Sequence, residues 1–224
     1  PLSYNGIKDR KEDPTQWEME LLVKTESTEY RSLVASANFL SQDWPNIQFP
    51  NKFVAKDMAN PTNGSWDKLK RLSRYIAGVD RVVWRFSWQE EPKEICVYSD
   101  SDWGGSEKDR KSTSGGCWIL GDHCIKTWSV AQAAYALSSA EAELYAMVEA
   151  STRAKGLATV ASELGYDRID NCFCLGTDSS AAKQFVSRHG LGRMRHLQIR
   201  DLWLQKEVSE GRIKVFKVRG EDNP

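Results

Sequence analysis

Apolar residues recur at spacings of three and four through Tyr30, Leu33, Val34, Ala37 and Leu40. This predicts an amphipathic helix from near Glu29, with Ser27 or Thr28 as its cap. The same period returns in Trp66, Leu69, Leu72, Tyr75 and Ile76, a helix ended near Gly78. Between them lie a proline-bearing connector at 43–50, a short helix around 52–58 and the breaker cluster Asn60-Pro61-Thr62-Asn63-Gly64. Residues 1–27 are polar without clear period and are expected to be irregular. The β-branched and aromatic run at 82–88 predicts a strand.

At 89–93 a polar, proline-bearing run marks a boundary, so the expected division is 1–92 and 93–224. Beyond it, strands are predicted at 95–101, 113–120 and 124–129. A Gly-rich charged loop at 104–111 and a tight turn at 121–123 join them. A long helix at 139–164, a strand at 172–176, helices at 180–187 and 196–209, and a strand at 213–218 follow. Three strands in hairpin order and then alternating helices and strands predict an α/β unit, a mixed sheet with helices packed on it.

The composition, 40% apolar and 28% charged, suits a globular protein. Aromatic and aliphatic residues along the whole length argue against disorder. No apolar run reaches membrane-spanning length and no secretory signal is visible, so no membrane partner is expected. Formal net charge is zero, but charge is unevenly distributed. From Arg188 to Arg219 nine cations face only Asp201, Glu207 and Glu210, and Lys68, Lys70, Arg71, Arg74, Arg81 and Arg85 form a second basic run. Such runs suit either a polyanion partner or solvated helix faces. The five cysteines lie in strand-like stretches without a CxxC pair. They read as reduced core residues of an intracellular protein and not as zinc ligands or disulfides. The chain starts at Pro1 and stops at Asn223-Pro224, as expected for a piece of something longer.

Candidate chemistry centres on carboxylates. Ser138 and Glu141 have capping-box spacing, which assigns Glu141 to the helix start. Glu143 shares a helix face with Ala146, Met147, Ala150 and Ala154. A carboxylate there is either a hydrogen-bonded structural residue or a functional one. Asp100 closes the first strand with Asp102 two positions on, and Asp178 lies between a strand and a helix. Turn formation and helix capping are the plain alternatives for these three. Taken together, acids at two strand ends and on a sheet-facing helix are expected to converge on one side of the sheet. Close carboxylates repel, and divalent cations relieve that repulsion. Two such ions roughly 3.5–4 Å apart activate water and stabilise the leaving oxygen in phosphodiester cleavage.

Three segments resemble the RNase H region of copia-type LTR retrotransposon Pol polyproteins, in family order and spacing. They are Tyr98-Ser99-Asp100-Ser101-Asp102-Trp103-Gly104-Gly105, Arg110-Lys111-Ser112-Thr113-Ser114-Gly115-Gly116 and Leu137-Ser138-Ser139-Ala140-Glu141-Ala142-Glu143-Leu144-Tyr145-Ala146. Thr177-Asp178-Ser179-Ser180-Ala181-Ala182 resembles the third acidic motif of RNase H enzymes, and the segment from Arg193 to Arg200 a basic segment of the copia group. Upstream, Glu29-Tyr30-Arg31-Ser32-Leu33-Val34, Asn60-Pro61-Thr62 and Trp66-Asp67-Lys68-Leu69-Lys70-Arg71 resemble the thumb and connection that follow a reverse-transcriptase palm. No Tyr-x-Asp-Asp polymerase motif is present.

The resemblance implies an RNase H-like five-stranded mixed sheet with helices on both faces, preceded by a mostly helical segment. It implies hydrolysis of the RNA strand of an RNA–DNA hybrid with two Mg²⁺ (or Mn²⁺) ions. The implied catalytic and metal-binding residues are Asp100 (Asp102 the weaker choice), Glu143 and Asp178. Ser101, Ser139 and Ser179 are the implied contacts to the substrate near the acids, and Arg193, Arg195 and Arg200 those to phosphates. The family's fourth aspartate, in an Ala-Asp pair, would fall just past Pro224, with Asp222 a poor substitute. No histidine lies in or after the last strand. The implied partners are the hybrid and the rest of the Pol polyprotein, in a cytoplasmic particle or the nucleus. Two other readings remain at this stage. One is a catalytically incomplete nucleic-acid-binding fragment of a degenerate element, and the other a transposase core on the same fold.

Overall fold

The computed structural model describes residues 14–79, 81–106, 109–166, 172–192, 197 and 199–223. The chain forms two compact units that divide between Val83 and Trp84, ahead of the expected 92/93.

The first unit is helical: α1 (Pro14–Met19), α2 (Lys24–Leu40), α3 (Pro45–Lys56) and α4 (Asn63–Ala77). Tyr30, Val34 and Ala37 of α2, Ile47 and Val54 of α3, and Leu69 and Leu72 of α4 share one core with Leu22. The Tyr30 hydroxyl donates to the Val54 carbonyl at 2.6 Å, tying α2 to α3. The breaker cluster makes the start of α4. The Thr62 hydroxyl accepts from the Ser65 amide while Ser65 reciprocates on the Thr62 amide, a capping box with serine at the third position.

Several expectations are corrected here. α1 lies in a stretch read as irregular, and α2 starts at Lys24 instead of near Glu29, with no side-chain cap. α3 starts at Pro45, because a proline at the first helical position forfeits no hydrogen bond. Residues 82–88 form no strand: without a neighbouring strand in register, β-branched composition alone does not make a ladder. From Trp84 onward that connector belongs with the second unit. Gln89 donates to the Leu120 carbonyl at 3.1 Å and accepts from the Asp122 amide at 2.7 Å, gripping the β-hairpin turn.

The second unit holds β1 (Ile95–Asp102), β2 (Thr113–Leu120), β3 (His123–Ala131), α5 (Ser139–Glu163), β4 (Phe173–Thr177), α6 (Ser180–Val186), α7 (Ile199–Ser209) and β5 (Ile213–Lys217). The five-stranded sheet has the order β3-β2-β1-β4-β5. The β1–β2 and β2–β3 pairs are antiparallel, and the β1–β4 and β4–β5 pairs parallel. This is the mixed sheet expected.

One side of the sheet packs against α5, α6 and α7. Ile95, Val97, Phe173, Leu175 and Ile213 share a core with Leu144, Met147, Phe185 and Leu204. Ala142, Ala146, Ala150, Ala154 and Ala158 recur every fourth residue of α5 and are all buried. Their small side chains let the helix lie close on the strands. Among the described residues α5, α6 and α7 all pack on this side. The opposite side carries Cys96, Tyr98, Cys124, Cys174 and Phe216, all half-buried. Of the five cysteines only Cys117 is buried, which corrects the expectation of core cysteines.

Candidate active site

β1 and β4 run parallel as far as the Ser99–Thr177 pair. The next residue of each strand is an aspartate, Asp100 and Asp178. Asp100, near the end of β1, and Asp178, just past β4, thus lie at the carboxyl-end lip where parallel strands open a crevice. On its other side Asp100 still pairs with Gly115 of β2, which holds its backbone in place.

Glu143 comes from the second turn of α5. The start of that helix is fixed by Ser138, whose hydroxyl accepts from the Glu141 amide at 3.2 Å. Glu141 does turn back, accepting from the Leu137 amide at 2.9 Å and from the Tyr145 hydroxyl at 2.7 Å. Glu143 is thereby left to face β1. Its Oε1 accepts from the Ser101 hydroxyl at 2.6 Å and the Ser101 amide at 3.2 Å.

One oxygen each of Asp100, Glu143 and Asp178 lie within 4.8 Å of one another. Glu143 is only 9% exposed, and its Oε2 has no hydrogen-bond partner. Burial chiefly pushes its carboxyl up to about 7. The Ser101 hydroxyl opposes this, and the charges of Asp100 and Asp178 add to it. Asp100 is also raised, first by burial and then by the charges of Asp178 and Asp102. No basic side chain among the described residues offsets either shift. A buried carboxylate with one oxygen lacking a donor, beside two further carboxylates, fits a hard divalent cation.

The other sequence candidates lie as follows. Asp102 is outside the converging trio, and its carboxylate lies against Gly105, where a Cβ would meet it at 1.7 Å. The Ser101 hydroxyl is engaged by Glu143, a positioning role that nothing in the one-dimensional sequence signals. Ser179 caps α6, accepting from the Ala182 amide at 3.2 Å, and Ser139 is exposed in the first turn of α5. Arg193, Arg195 and the side chain of Arg200 lie outside the described residues. Part of the basic run is internally compensated, since Arg212 pairs with Glu207 at 2.8 Å and with Glu210. No helix among the described residues is long and apolar enough to cross a membrane.

No family model matches the chain. It is 28% identical over 200 residues to the retrovirus-related Pol polyprotein from transposon RE2 of Arabidopsis thaliana, covering 87% of this chain and 13% of the polyprotein. It is 26% identical over 182 residues to the corresponding polyprotein from transposon TNT 1-94 of Nicotiana tabacum, covering 80% and 13%. The chain thus spans 13% of the length of these relatives. Among solved structures, RNase H1 from the halophilic archaeon Halobacterium salinarum matches 58% of this chain and 89% of its own, at 15% identity and a TM-score of 0.39.

Proposed function

We propose that residues 93–224 of this chain, which is similar to the retrovirus-related Pol polyproteins of plant copia-type transposons, are a metal-dependent endonuclease of the RNase H type. On this reading the unit hydrolyses the RNA strand of RNA–DNA hybrids during reverse transcription, and residues 1–92 are a thumb and connection segment of the same polyprotein. The observation that carries the reading is the convergence of Asp100, Glu143 and Asp178 within 4.8 Å, with Glu143 Oε2 left without a donor.

Asp100, Glu143 and Asp178 would hold Mg²⁺ or Mn²⁺. The chemistry such ions supply when bound is activation of water and stabilisation of the departing 3′ oxygen. The chain's own residues do the rest. Asp100 and Asp178 are fixed by neighbouring strands, so their separation is set by the sheet. Glu143 backs the site from the helix α5, and Ser101 holds its Oε1 while Oε2 has no hydrogen-bond partner. Exposed Ser139, with Ser179 beside Asp178, would meet the 2′-hydroxyls that distinguish RNA. Arg193, Arg195 and Arg200 would meet phosphates, giving salt-dependent affinity without sequence choice.

The final segment also supports this reading. Asn223 donates to the Ser99 carbonyl at 3.3 Å, and a Cβ on Gly220 would lie 3.5 Å from Asp178 Oδ2. The segment at 220–223 therefore lies beside the cluster.

The test is cleavage of a hybrid carrying a labelled RNA strand, with Mg²⁺, by the chain as given and by the chain continued through the Ala-Asp pair. Asp100→Asn or Asp178→Asn should each reduce cleavage by the continued chain to background with the circular-dichroism spectrum unchanged. Undiminished cleavage by either variant refutes the assignment. Hybrid binding without cleavage by both unsubstituted chains would favour a binding module instead.

A further inference from the structure

We propose a second, chemically distinct metal site on the side of the sheet opposite α5, α6 and α7, a soft-cation site for Zn²⁺ built from Cys96, Cys174 and Glu94. Cys96 and Cys174 are direct partners across the parallel β1–β4 pair. Alternation with Ile95, Val97, Phe173 and Leu175 turns both thiols away from the helices. Glu94 lies just ahead of β1, and its carboxylate accepts from the Cys174 thiol at 3.2 Å. One ligand atom of each of the three lies within 4.8 Å of the others.

Zinc bonds of about 2.3 Å to sulfur and 2.0–2.2 Å to oxygen separate tetrahedral ligands by roughly 3.5 Å, a closure of about 1 Å that side-chain rotation provides. Two thiolates and a carboxylate favour Zn²⁺ over Mg²⁺, because thiolate is a soft donor. Three anionic ligands around a divalent ion leave one negative charge. Lys214, the partner of Cys174 on β5, supplies its counter-charge. Glu94 is exposed and both thiols are half-buried, so water has access to the site.

Without a cation, burial together with Glu94 pushes the Cys174 thiol up to about 12 and raises Cys96 as well. The thiols are then protonated, and a bound ion would displace those protons. Cys117 and Cys124 form another thiol pair, but among the described residues no carboxylate joins them within ligand distance. That pair is the internal control.

The test uses the whole chain under reducing conditions with Co²⁺ and then Zn²⁺ alone. One equivalent of Co²⁺ should give a sulfur-to-cobalt charge-transfer band that Zn²⁺ removes. Cys96→Ser or Cys174→Ser should weaken binding by roughly tenfold or more. Cys117→Ser and Glu143→Gln should leave the band intact, which separates this site from the carboxylate cluster. A readout that needs no variant is alkylation: Zn²⁺ should protect Cys96 and Cys174 but not Cys172. The proposal is overturned if no band forms, if the band survives loss of both thiols, if Zn²⁺ protects neither thiol, or if they are recovered as a disulfide without metal. Its outcome is independent of hybrid cleavage.

Discussion

Replacing Glu143 with glutamine is expected to abolish hybrid cleavage and, in chelator at pH 8, to make the protein more stable. The carboxyl titrates near 7 in the folded chain against an ordinary value of 4.5. Between these two values the folded state holds a proton that the unfolded chain has released. Stability therefore falls as pH rises through that window, by on the order of 3 kcal/mol once it is crossed. Glutamine carries no charge. Its Oε1 can keep both bonds from Ser101, and its amide can donate where Oε2 now has no partner. Thermal melts of the two proteins from pH 5 to pH 8 check this. The advantage of the variant should be largest at pH 8 and small at pH 5, and saturating Mg²⁺ should raise the melting point of the parent only. An advantage independent of pH would mean that Glu143 is not held as described.

Two adjacent glycines of β2 should respond oppositely to alanine. A Cβ on Gly116 would sit 2.3 Å from Trp128 Cζ2 and 2.4 Å from the Tyr98 carbonyl oxygen. The tryptophan is packed in the core and the carbonyl is backbone, so β2 must move away from β1 beside Ser99. Gly116→Ala should cost about 3 kcal/mol, the upper end of the range for overpacking, and lower cleavage by displacing Asp100. A Cβ on Gly115 meets nothing closer than the Trp128 carbonyl at 3.9 Å. Gly115→Ala should be neutral or stabilising by up to about 1 kcal/mol, because glycine weakens a strand interior. Urea denaturation of both variants measures the difference, and equal midpoints would contradict the packing described.

What the sequence conveyed and what it withheld have physical reasons. β1, β2, α5, β4 and β5 carry strong period or strand composition and fall within two residues of expectation at each end. Glu143 was legible because an acid on an otherwise apolar helix face is anomalous, and Glu141 because capping boxes are local. The start of α2 was missed because no side chain caps it, and α1 because six residues give too short a period. Ser101's grip on Glu143 comes from α5 packing on β1, and the pairing of Cys96 with Cys174 from strand register, and each joins residues far apart in the chain. No local spacing encodes either. The cysteines read as core because strand-like apolar context implies burial on both faces, whereas one face of this sheet lies opposite α5, α6 and α7.

On the proposed reading Glu143 is a buried carboxyl whose charge a bound cation would stabilise. Its titration, followed by carbon NMR with selectively labelled glutamate and with Glu143→Gln for assignment, tests that most directly. The expected result is a midpoint near 7 in chelator, moved well below the ordinary carboxylate range by saturating Mg²⁺. A midpoint that Mg²⁺ leaves unmoved would contradict it.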